Sequence, residues 1–131
     1  MENLPLPKDA TLAAQQQRVL AASKFARQQF SQQPALLSEL LDSGDLQRSY
    51  SEAELATALQ QRLQGCDSPE DLARLLRQFR RREMLRILWR DFNRLALTME
   101  TTRDTSLLAE ACINQALQWC HGKLAEQHGQ P

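Results

Sequence analysis

Glycine and aromatic residues are scarce in this chain of 131 residues, with four glycines and aromatics at 5%, and valine and isoleucine are few. That shortage excludes the turn-dense, β-branched patterning of sandwiches and barrels. An excess of either charge is also missing, because 16 basic side chains meet 16 acidic ones. Neutrality argues against a general nucleic-acid or membrane-surface binder, since both partners reward a basic excess. Three cysteines, Cys66, Cys112 and Cys120, make an odd set without Cys-x-x-Cys spacing, and the N-terminus has no basic start leading into an apolar run. The expectation is a reduced, cytoplasmic protein. No stretch approaches the roughly eighteen uninterrupted apolar residues that a membrane span needs.

Leucine, alanine, glutamine and arginine are abundant, and they are helix formers. The chain reads as an all-α bundle of about five helices forming a single helical domain over residues 1–131. Asp9 offers an N-cap for a first helix over residues 10–32, with Val19, Ala22, Ala26 and Phe30 as its inward stripe and glutamines on a solvated outer face. Pro34 starts a short second helix, and "DSGD" (Asp42 to Asp45) is a turn in which Gly44 takes positive φ. "SEAEL" is a capping box, Ser51 with Glu54, opening a third helix that ends at Gly65. Ser68 as N-cap, Pro69 at the first position and Glu70 and Asp71 in the first turn open a long fourth helix, expected to reach Glu100. A fifth begins at Asp104 or Thr105, with Leu108, Ala111, Cys112, Ala116 and Trp119 on one face, and fades beyond His121.

The fourth helix is the unusual one. At about 100° per residue, Leu72, Leu75, Leu76 and Phe79 share one side, while Leu85, Leu88, Phe92, Leu95 and Met99 lie opposite. Arg82, Arg86, Arg90 and Arg94 run at four-residue intervals near the side that Phe79 began. The pattern predicts that the inward face swaps across "RRRE", so the helix either touches two neighbours, the front half packing on the first three helices and the back half on the last, or is enclosed on most sides with an arginine seam between them. Like-charge neighbours four apart disfavour a helix by roughly 0.2–0.5 kcal/mol per pair. Two readings of the ladder follow. Acids from neighbouring helices, with Glu39, Asp42, Glu52, Glu54 and Glu110 as candidates, neutralise it inside the fold, or Arg82, Arg86, Arg90 and Arg94 form an interaction surface for an acidic partner.

Catalytic patterns are absent from the sequence: no Gly-rich phosphate loop, Gly-x-Ser-x-Gly or Cys–His nucleophile motif occurs. His121 and His128 beside Cys120 fall short of the converging ligands that a metal requires, and Glu52 and Glu54 are cap chemistry. Cys112 and Cys120 read as small core residues. No catalytic, cofactor-binding or metal-binding residue is expected.

"LLRQFRRREMLRILWRDF" (Leu75 to Phe92) resembles a signature near the start of bacterial glutamine synthetase adenylyltransferase, the bifunctional adenylylating and adenylyl-removing enzyme. "ASKFARQQFSQQPALLSELLDSGDL" (Ala22 to Leu46), "SPEDLARLLR" (Ser68 to Arg77) and "DTSLLAEACINQAL" (Asp104 to Leu117) resemble flanking elements of that family. The resemblance implies a parent nucleotidyltransferase that uses Mg²⁺ and ATP, with glutamine synthetase and the PII signal protein as partners. It implies that this chain is a helical prelude to a first catalytic domain, absent here and contacted in cis, and that no family catalytic residue maps onto it. The alternative is a free-standing helical adaptor that binds an acidic protein surface through Arg82, Arg86 and Arg90.

Overall fold

The computed structural model describes residues 4–128, with side chains to residue 126, and contains six α-helices and no strand in that range. The helices are α1 (Ala10–Ala22), α2 (Lys24–Gln32), α3 (Pro34–Ser43), α4 (Glu52–Arg62), α5 (Pro69–Phe92) and α6 (Thr98–His128), with a short 3-10 turn at Asp45–Gln47. The all-α expectation holds.

Caps set most of the boundaries. The Asp9 carboxylate accepts from the backbone NH of Thr11 (2.7 Å). Ser51 and Glu54 close the expected capping box at 3.0 and 3.1 Å. Ser68 Oγ accepts from the NH of Asp71 at 3.1 Å, just ahead of Pro69. Gly44 and Gly65 both take φ of +79°, a conformation that costs a side-chain-bearing residue about 1–2 kcal/mol. The expected continuous first helix is in fact two. Ser23 is extended (φ −119°, ψ 110°), and its Oγ caps α2 by accepting from the NH of Ala26 at 3.0 Å. On the other side of the break, Arg27 Nη1 takes up the freed carbonyls of Leu20 (2.7 Å) and Ala21 (3.2 Å). The break also turns the inward stripe, so Ser23 is buried and Ala22 is exposed, whereas Val19, Ala26 and Phe30 stay inside as expected.

α5 stops at Phe92, short of the expected Glu100. Arg94 sits at φ +55°, and the NH of Leu95 reaches back to the carbonyl of Arg90 at 2.8 Å, which ends the helix. α6 consequently begins at Thr98, earlier than Asp104, and runs on to His128.

The described chain divides into two compact units that share the two long helices. The first comprises the chain up to Ser49 with Arg82–Arg103; its core is Val19, Ala26, Phe30, Leu37, Leu40, Leu46, Leu85 and Trp89. The second comprises Tyr50–Arg81 and the chain from Asp104 on, and it buries Tyr50, Leu55, Leu59, Leu72, Phe79 and Leu108. The halves of α5 therefore do join different neighbours, but the front half shares its unit with α4, the expected third helix, and with the last helix, not with α1 to α3. The back half, with Leu85 and Trp89, packs with α1 to α3.

Candidate functional site: a buried arginine seam

The expected swap of the inward face is met only in part: Leu85 turns inward, with Leu88 and Leu95 packed against the same core, but the arginine side is buried as well. Arg82, Arg86 and Arg90 are at most 5% exposed, whereas Phe92 is 42% and Met99 85% exposed. The arginine side of α5 goes in because its charge is matched there.

Glu83 is the centre of the match. At 1% exposure, its Oε2 accepts from Arg82 Nη1 at 2.5 Å and its Oε1 from Arg86 Nε at 2.9 Å. Arg82 extends the network outward, donating from Nε to Glu39 Oε1 at 2.8 Å and from Nη2 to Asp45 Oδ2 at 2.7 Å. One guanidinium thus meets three carboxylates, which uses the fork geometry that a lysine lacks.

The rest of the ladder ties down the connector after α3. Arg86 Nη1 donates to the carbonyl of Arg48 at 2.9 Å, and Arg90 Nη1 to that of Leu46 at 3.2 Å. A connector without a ladder leaves backbone carbonyls needing donors, and buried ones left unpaired cost about as much as a lost hydrogen bond. Arg86 and Arg90, one turn apart, supply those donors, while Arg82 holds the connector through the Asp45 carboxylate. Arg90 also bonds the Leu95 carbonyl (3.1 Å) and Glu100 (3.4 Å), joining the end of α5 to the start of α6 within the first unit. Ser49 Oγ donates to Glu100 at 2.8 Å; this bond, helped by the Arg90 charge, holds the Glu100 carboxyl below its ordinary value of 4.5 against a smaller opposing effect of burial.

Two glutamines expected on the solvated face are inside. Gln15 Oε1 accepts from the buried Trp89 indole NH at 2.9 Å and from Gln47 at 3.1 Å, and Gln16 donates to the Pro5 carbonyl at 2.9 Å. Amides of this kind satisfy a buried indole donor that the all-apolar stripe would have orphaned.

Arg94, the fourth rung, lies beyond the helix and is exposed. Of the acids proposed as partners, Glu39 reaches the seam, while Glu54 is engaged in its capping box and Asp42 and Glu110 are exposed. Asp45, Glu83 and Glu100 supply the other carboxylates. "DSGD" had marked only a turn, and Glu100 was hidden by the overlong helix expected there. In the second unit Trp119 is half-buried and donates to the Cys66 carbonyl at 3.1 Å, Lys123 lies 5.6 Å from its ring centre, and His121 is exposed. Cys120 is exposed as well, not in a core. His128's side chain lies outside the described residues. Among the described residues no three His, Cys, Asp or Glu side chains converge as metal ligands, and no helix is long and apolar enough to cross a membrane.

These features define an all-helical chain whose charged seam is directed at its own connectors. The profile described as Glutamate-ammonia ligase adenylyltransferase matches residues 13–131, and the chain belongs to that family. It is 46% identical over 114 residues to the bifunctional glutamine synthetase adenylyltransferase/adenylyl-removing enzyme of Pseudomonas aeruginosa. The namesakes from Pseudomonas putida and Thioalkalivibrio sulfidiphilus are 43% and 42% identical over the same length. In each case the match takes in 87% of this chain and 12% of the relative's length. No solved structure matches.

Proposed function

We propose that this chain is the N-terminal helical part of an enzyme that adenylylates and de-adenylylates glutamine synthetase, and that it scaffolds the adenylyl-removing half. One observation carries the reading: close similarity covers nearly the whole chain yet only 12% of the bifunctional relatives. The parent enzyme would act in the cytoplasm on ATP and glutamine synthetase, with Mg²⁺ and under the PII signal protein. The residues here do not fit the metal, since the carboxylates that approach one another, Glu39, Asp45 and Glu83, are spent on Arg82. The chemistry therefore belongs to the rest of the polypeptide. Within this reading Arg82, Arg86 and Arg90 tie the scaffold together, and Arg94 is the rung open to a partner. The free-standing adaptor is not supported, because the three guanidiniums that it would present are buried.

The test begins with the genomic frame past codon 131. A frame continuing into a nucleotidyltransferase domain is expected, and a native stop codon would overturn the proposal. In the complete enzyme, deleting residues 1–131 should lower release of the adenylyl group from adenylylated glutamine synthetase more than tenfold while adenylylation persists. Undiminished release would remove the scaffold role.

A further inference from the structure

α6 carries two apolar faces. Leu108, Ala111, Cys112, Gln115 and Trp119 form the inward one, buried or half-buried in the second unit. Opposite them, Ile113, Leu117, Cys120 and Leu124 follow one another at four, three and four residues, which at about 100° per residue confines them to an arc of roughly 60°. This second stripe is about 16 Å long at 1.5 Å per residue. It is bare: Ile113 is 59%, Leu117 64% and Leu124 54% exposed, and Cys120 is exposed too. Most of the sequence along it is free of charge, Lys123 beside Leu124 being paired with Glu126 at 3.4 Å. From Ala111 to Gly122 no Asp, Glu, Lys or Arg occurs, in a chain that is 24% charged. A solvated helix face normally carries charged side chains, and a regular stripe of large apolar residues without them is the pattern of a face that packs on something.

We infer that this outer stripe of α6 is the seat of a following segment of the same polypeptide, an amphipathic helix that presents apolar side chains at three- and four-residue spacing. The inference rests on the reading of the chain as the first part of a longer enzyme. The stripe lies in the last helix, close to where the relatives' remaining length would continue, and those relatives are about eight times longer than the match. A segment joined in cis needs no charged steering, because tethering holds it at an effective concentration in the millimolar range. Charge-poor surroundings fit that occupant better than a partner arriving by diffusion.

Cys120 is a built-in reporter. Maleimide labelling with peptide mapping should modify it quickly in the 131-residue chain and more than tenfold more slowly in the complete enzyme, with half-buried Cys66 and Cys112 as internal references. Leu117→Asp in the complete enzyme should restore fast labelling of Cys120, while the same change in the 131-residue chain should leave its melting temperature unmoved. Equal labelling in both chains overturns the inference, as does protection of the short chain that grows with its own concentration, which would make the occupant a second copy. A complete chain that protects Cys120 but neither adds nor removes adenylyl groups would sink the enzyme reading and leave the covered face standing. A native stop after codon 131 would remove both.

Discussion

Glu83 holds two guanidiniums in a part of the chain that water does not reach, and its own two oxygens are both used. Removing one partner of a buried pair leaves the other charge uncompensated, at a cost of about 3–5 kcal/mol. Glu83→Ala should therefore lose about that much stability in chemical denaturation, whereas Glu52→Ala, at an exposed position, should stay within about 0.5 kcal/mol. A Glu83→Ala loss below about 1 kcal/mol would mean that the seam contributes little. Glu83 stands beside the ladder in the sequence, but nothing local marks it for burial. Its burial depends on Glu39 and Asp45, which lie some forty residues away and meet Arg82 only once the chain has folded.

At the scale of the element, the boundaries legible in the sequence were those with local chemistry. Ser51 with Glu54, Ser68 with Pro69, and Gly44 each act on neighbours within a turn, so each was expected and found. The two misread boundaries have other causes. Ser23 interrupts a stripe whose spacing runs through it undisturbed, and Arg94 takes a left-handed conformation that no local signal marked, since glycine or asparagine is its usual occupant. The junction that follows Arg94 has its own pH dependence. Glu100 binds a proton less readily folded than unfolded, so its contribution is present above pH 4.5 and is lost as pH falls through the lower folded value. Glu100→Gln should lower the melting temperature at pH 7 and flatten its fall below about pH 4.5. Parallel acid profiles for the two proteins would show that the Ser49 and Arg90 contacts do not couple to folding.

For the whole molecule, composition was enough for the all-α class, because helix formers dominate and nothing competes with the helical period. The seam was half visible. Four-residue arginine spacing marked it, but periodicity assigns grease inward and charge outward, and so showed Leu85 turning in without showing that the arginine side is buried with it. A further expectation follows from the core of the first unit, which needs Leu85 and Trp89 to cover Phe30, Leu37 and Leu40. A chain ending at residue 60 should show no cooperative melting by circular dichroism, whereas the 131-residue chain should; a cooperative transition in the shorter one would show that α1 to α3 suffice alone. The same order has a meaning on the ribosome. At about 5–20 residues per second, the first three helices wait several seconds for the part of α5 that completes them, and through that interval their apolar faces are open to whatever chaperone stands at the tunnel exit.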